Sequence, residues 1–328
     1  MDSTGTELTN CSRTDKHVLR GYIFIAAAAL CWGISATLGR AAFTGRLMGG
    51  SPLSPIDPLI LAQSRTTISV LLLAPLLLLA RGTRAFRMAR RDIGLCLLLG
   101  VAGMAVSNYT YYLSIQKTNV ATAIILQYTA PIWVLLYMIA RQLQRATMQR
   151  IASVLLAVFG CALAIGVFSG QMKINTVGVV AAQIAAVSFA FYNVLGARLV
   201  KQYQRWTVLV YVLAGAALFW QFVNPVWKVV GAQYSRDQWV FMLVFAITSI
   251  LLPFSAYLGG LHHLDATRAI VTSCLEPVFS VVIAAVFLGE AVGPLRILGM
   301  IVVLTATVLV QIPDRKTMAA PVVVEPIE

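Results

Sequence analysis

The sequence predicts an all-α integral membrane protein with ten transmembrane helices in two inverted five-helix repeats. Three observations predict it. Of the 328 residues, 59% are hydrophobic and 11% charged, against roughly 25% charged in an average soluble chain, which is too little charge to clothe a water-facing surface. The charges fall between apolar runs of about 20 residues, the length that crosses roughly 30 Å of hydrocarbon at 1.5 Å per residue. The two halves of the chain also match each other at a fixed offset. Strands of an outer-membrane barrel are excluded, because their signal is an alternation over about 10 residues.

The elements follow in order. Residues 1–18 form a polar, charged tail with no apolar segment of signal-peptide type. Span one (19–40) contains Cys31-Trp32-Gly33 and leads into a Gly-, Ser- and Pro-rich loop from Thr44 to Asp57. Span two (58–80) carries Arg65 with Gln63, Thr66, Thr67 and Ser69, and span three (93–115) carries Asn108, Tyr111 and Tyr112. Span four (120–141) holds Gln127, Tyr128 and Pro131, and span five (148–168) closes the first repeat, 19–168. The second repeat, 177–312, opens with span six (177–199), holding Tyr192 and Asn193, and span seven (206–225), holding Trp220. Span eight (238–260) contains Tyr257, span nine (266–288) contains Glu276-Pro277, and span ten (294–312) precedes a tail, 313–328, expected to be disordered.

Charge placement sets the expected topology. An even number of spans puts both termini on one side. Seventeen of the 25 Lys and Arg residues lie in the tails and loops of that side, in clusters such as Arg81 to Arg91, Arg141 to Arg150 and Arg198 to Arg205; seven lie opposite. The positive-inside rule then places both termini in the cytoplasm of a plasma (inner) membrane protein. The net charge of +13 is thereby explained as topology, and nucleic acid is not an expected partner. Four acids, Asp57, Asp92, Asp237 and Asp265, stand at span starts, where a carboxylate caps free N–H groups and meets the positive end of the helix dipole. Arg65 and Glu276 are left as the two charges at membrane depth. Such groups cost several kcal/mol to insert and are functional hypotheses by default.

Several chemistries are excluded. His17 lies in the tail and His262 and His263 in a loop, so no span supplies a Ser-His dyad or an HExxH zinc helix. Cys11, Cys31, Cys96, Cys161 and Cys274 lack C-x-x-C spacing and are expected to act as small apolar residues. No phosphate-binding Gly-rich loop is present. No metal and no cofactor is expected, and the chain is not expected to be an enzyme. The sequon Asn10-Cys11-Ser12 is idle on a cytoplasmic tail.

Sliding the chain by 146 positions pairs Tyr111 with Tyr257, Ala123 with Ala269, Ile124 with Ile270, Pro131 with Pro277, Arg150 with Arg296, Ile151 with Ile297 and Leu163 with Leu309. A second offset, 157, pairs Gly21 with Gly178, Leu38 with Leu195 and Gly39 with Gly196; the long first loop accounts for the difference. Five spans per half is an odd number, so the second half enters the membrane from the opposite side.

With these residues in view, the chain resembles the EamA-type, ten-span members of the drug/metabolite transporter (DMT) superfamily, over about residues 20 to 312. Leu275-Glu276-Pro277-Val278, then Leu288-Gly289-Glu290, Arg296 and Gly299, are similar to that family's closing helix pair. Cys31-Trp32-Gly33, Arg65, Asn108, Tyr111, Tyr112 and Pro131 fit its first half. Gln142-Leu143-Gln144 departs from it, standing where the first repeat often has a Leu-Gly-Glu turn. The resemblance implies an exporter or exchanger of small metabolites with a cavity between the halves, and spans five and ten at the periphery.

The expected substrate-cavity residues are Trp32, Arg65, Asn108, Tyr111, Gln127, Tyr128, Asn193, Tyr257 and Glu276, with helix kinks at Pro131 and Pro277. Buried amides such as Asn108, Gln127 and Asn193 either line a site or bond between helices. If Glu276 is unpaired it is placed to carry a proton; if it pairs with Arg65 it is a gate or a structural tie. The expected function is a secondary transporter exporting small polar metabolites such as amino acids by alternating access. A channel-like permease of the same fold, or a membrane enzyme or receptor, is the alternative. The expected partners are the bilayer, a small-molecule metabolite and, in the proton-carrying case, protons, with the chain a monomer or homodimer.

Overall fold

The computed structural model describes residues 3–44, 56–118, 120–166, 174–288 and 291–312, and among these there is no strand. Among the described residues ten helices are long and apolar enough to cross a membrane: Lys16–Ala36, Pro58–Arg81, Arg90–Lys117, Thr122–Ala140, Met148–Ile165, Thr176–Gln202, Arg205–Val223, Arg236–His263, Ala266–Phe287 and Pro294–Gln311. They are spans one to ten below. Span eight runs further than expected, so His262 and His263 occupy its last turn rather than a loop. Glu290 of the Leu-Gly-Glu turn, the expected tail after residue 312 and most of the first loop lie outside the described residues, as do the side chains of residues 3–15 with the sequon.

The acids divide two ways. Asp57 caps span two, accepting from the N–H groups of Leu59 (2.8 Å) and Ile60 (3.1 Å), and Asp265 caps span nine through Arg268 N–H at 2.8 Å. The other two are not caps. Span eight is capped by Ser235 in a capping box with Gln238, which leaves Asp237 outside the cap. Asp92 lies inside the first turn of span three and accepts from the Tyr203 hydroxyl at 2.6 Å, a bond that pushes the Tyr203 phenol above its ordinary range. That contact belongs to one end of the bundle, where loops from both halves meet. There Arg81 bonds Gln204, Thr207 donates to the Ala85 carbonyl at 2.6 Å, and Thr267 donates to Gln144 Oε1 at 2.8 Å. The departure at Gln142-Leu143-Gln144 is thus accommodated by a neutral acceptor joining the end of span four to the start of span nine.

Irregular backbone recurs at the sequence offset. Span four is interrupted at Tyr128 and Thr129 and span nine at Cys274, and 128 and 274 differ by 146. Pro131 and Pro277 stand just beyond; a proline ring leaves the carbonyl four residues back without its donor, here those of Gln127 and Ser273. Wide π-type turns occur at Leu99–Ala105 in span three and Ile247–Leu251 in span eight, ending again 146 residues apart. In span eight the following Pro253 removes the donor for the Ser249 carbonyl; in span three no proline is involved.

Packing joins the halves rather than separating them. Span one lies on spans eight and nine, and span six on three and four. Span two touches seven and eight, and span seven touches two and three. Exchanging each span with the one five later leaves this set of contacts unchanged. Spans five and ten pack on each other, through glycines that let the backbones meet: a Cβ added to Gly160 would stand 2.8 Å from Val303 N, and one on Gly299 would collide with Ala164 N.

Candidate functional site

The polar centre of the bundle is assembled from spans two, three, four and nine. Arg65 donates from Nη2 to Asn108 Oδ1 at 2.8 Å, while Asn108 Nδ2 donates to the Met104 carbonyl at 2.9 Å. The amide is thereby oriented with its oxygen toward the guanidinium. Phe245 of span eight lies under Arg65 at 5.9 Å from its ring centroid, a cation–π geometry. Nε of Arg65 is buried without a partner. Arg65 and Glu276 form no ion pair; among the described residues the ion pair present is Arg268 with Asp265.

Glu276 approaches the same centre from the second half. Its carboxyl neighbours the Tyr128 hydroxyl, and Tyr111 lies within electrostatic reach of both Glu276 and Arg65. Tyr128 also neighbours Cys161, Cys274 and Tyr111. Arg65, Asn108, Tyr111, Gln127, Tyr128 and Glu276 are all half-buried. The breaks beside Pro131 and Pro277 free the carbonyls of Gln127 and Ser273 on the same two spans that carry Tyr128 and Glu276. Arg65 keeps donors that its bond to Asn108 does not use, and the planar fork of arginine matches a carboxylate or phosphate with two parallel bonds.

Other expected site residues fall elsewhere. Asn193 and Tyr257 are completely enclosed. The Tyr257 hydroxyl donates to Asn193 Oδ1 and Asn193 Nδ2 donates to the Phe189 carbonyl at 2.8 Å, so the pair ties span six to span eight. Half-buried Trp32 packs against this knot, with ring centroids 5.3 Å from both Phe254 and Tyr257. The polar run on span two is also largely satisfied by protein. Gln63 accepts from Asn224 at 2.6 Å, Thr66 bonds the Ala62 carbonyl at 3.0 Å, and Ser69 bonds the carbonyls of Arg65 (2.7 Å) and Ala246 (3.2 Å). Gln63 and Ser69 hold helices together, whereas Thr66 bonds within its own helix, and the Thr67 hydroxyl is buried without a partner. The sequence carried no sign of Phe245 or Asn224, because each matters through a neighbour more than 150 positions away. Among the described residues, no group of three or more His, Cys, Asp or Glu is placed to hold a metal ion.

The sequence profile of the EamA-like transporter family matches this chain twice, over residues 19–166 and 176–312. The chain belongs to the EamA-like transporter family. It is an integral membrane protein and a transporter, not an enzyme. Within the family it is similar to the uncharacterized inner membrane transporter YicL of Salmonella typhimurium, 22% identical over 90% of this chain and 97% of that one. It is also similar to the threonine/homoserine exporter RhtA of Escherichia coli, 25% identical over 80% of this chain and 86% of that one. A solved crystal structure shares the fold with a TM-score of 0.72 at 18% identity, covering 90% of this chain and 96% of the other.

Proposed function

We propose that this EamA-like chain exports small polar metabolites of amino-acid type across the plasma membrane, by alternating access between two inverted five-span halves, with both termini cytoplasmic. The observation that carries this reading is the polar centre itself. Arg65 is held by a neutral amide, keeps unused donors and forms no ion pair with Glu276 of the other half, while Tyr111 lies within electrostatic reach of both. A zwitterion complements such a centre: its carboxylate meets the guanidinium fork and its ammonium meets Glu276, so the ligand itself links the halves. In its absence Glu276 takes up a proton rather than remain charged and unpaired at membrane depth. Substrate and proton then compete for one carboxylate, which is the elementary requirement of exchange. The breaks in spans four and nine supply freed carbonyls at similar depth and places where each half bends. The reading is also supported by the exporter name that RhtA carries.

The test is counterflow in proteoliposomes loaded with threonine or homoserine. Saturable accumulation of labelled substrate against its gradient, stimulated by a pH difference, is expected of an alternating-access exchanger. Flux that rises linearly with concentration and shows no counterflow would instead make the protein a channel-like permease of the same fold.

A further inference from the structure

A second concave feature lies apart from the polar centre. Between spans four and six runs a groove of about 1080 Å³, above the roughly 300–1,000 Å³ usual for small-molecule sites. It contains none of the residues discussed above as substrate contacts. Its walls change character along their length. Tyr137 on span four and Phe191 and Val194 on span six line an apolar stretch, and Arg141, Arg198 and Lys201 line the end. Phe191, Val194, Arg198 and Lys201 follow one another at intervals of three, four and three, so they share one helix face. At the other end from the basic residues the lining begins at Trp133 on span four and Val187 on span six, and Trp133 Nε1 donates to Gln183 Oε1 at 3.2 Å.

The charge at the rim is unbalanced. Arg141, Arg198 and Lys201 take part in no ion pair among the described residues, and Asp265, the acid at this rim, is already engaged with the N–H and the Nε of Arg268 at 2.8 and 3.5 Å. We propose that this groove holds one anionic phospholipid, its phosphate on Arg141, Arg198 and Lys201 and an acyl chain along Tyr137, Phe191 and Val194. The dimensions agree. Eleven residues separate Val187 from Arg198 along the lining of span six, about 16 Å of helix, which matches the roughly 15 Å of one leaflet's hydrocarbon. Cationic clusters at helix ends with apolar helix faces beneath them are the chemistry that selects anionic headgroups. The inference is independent of the transported substrate.

The test is native mass spectrometry of the purified full chain titrated with phosphatidylglycerol or phosphatidylcholine of identical acyl chains. At roughly fivefold per basic contact, the wild-type protein should prefer phosphatidylglycerol by about a hundredfold, and R141Q/R198Q/K201Q should bind both lipids alike. V194W, which fills the groove and keeps every charge, should lose the bound lipid. Monodispersity on gel filtration reports whether either variant is folded, and single substitutions at the three basic positions serve if it is not. Equal binding of both lipids by the wild-type protein, or an undiminished preference in the triple variant, would overturn the proposal. So would displacement of the bound lipid by glycerol phosphate alone. An intermolecular disulfide formed by Y137C in membranes, with no lipid retained, would assign the groove to a second copy instead.

Discussion

The role of Arg65 is open to a direct test through Arg65→Gln. In the structure its guanidinium makes one side-chain hydrogen bond, to Asn108, and stands 5.9 Å from the Phe245 ring centroid. It has no carboxylate partner, so removing its charge orphans no acid. A glutamine keeps a donor for Asn108, and the loss in stability should stay near the 0.6–1.7 kcal/mol of interhelical hydrogen bonds in membranes. Had Arg65 and Glu276 been a buried ion pair, removal of one partner would cost about 3–5 kcal/mol. Substrate binding should respond oppositely. Hydrogen bonds to a charged group are worth about 1.5–3 kcal/mol, so losing the fork should lower apparent affinity for threonine roughly 10- to 150-fold. Thermal unfolding in detergent and counterflow in liposomes are measured on the same preparations, with Glu276→Gln and the double variant completing a cycle. Unfolding free energies should add within about 0.5 kcal/mol. A stability coupling well above 1 kcal/mol would show a direct pair. Counterflow within twofold of wild type in Arg65→Gln would remove Arg65 from the binding site.

Three further outcomes are expected. Glu276→Gln should abolish the dependence of transport on a pH gradient, as read by internal pH dye and labelled substrate together; intact coupling would rule out the carboxylate as proton carrier. Tyr257→Phe leaves Asn193 Oδ1 enclosed without its donor and should destabilise by about 1–2 kcal/mol, whereas Asn193→Leu with Tyr257→Phe should cost less than the sum of the single changes. Impermeant thiol reagents on single-cysteine variants in intact cells should label position 232 and spare position 87; the reverse pattern would invert the orientation read from the basic loops.

Much of the architecture was legible before any coordinates, for a reason specific to lipid. In hydrocarbon every backbone polar group must be satisfied within its own segment, so long apolar runs leave helix as the solution. All ten spans lie where hydropathy puts them. The acids were legible only in part. Asp57 and Asp265 cap helices as their position before a span suggests. Asp92 and Asp237 do not, since a nearby Ser235 caps better and Tyr203, 111 residues away in sequence, recruits Asp92. The polar centre was similarly divided. Arg65 and Glu276 stand out in a list of charges, but whether they touch depends on helix rotation, to which composition is blind. Gln63, Thr66 and Ser69 make span two polar around Arg65, yet each is satisfied by a protein acceptor or donor.

The sequence by itself determined what each segment is: a helix long and apolar enough to span, the paired prolines and the duplicated register. These follow from local physics, the length of an apolar run and the missing N–H of proline. Tertiary structure alone decided which polar groups meet. It enclosed Asn193 with Tyr257 in a knot, left Arg65 beside Asn108 and apart from Glu276, and opened a basic-rimmed groove between spans four and six. Those relations depend on how each helix is turned about its axis against neighbours from the other half, and that rotation is set by packing of the whole bundle.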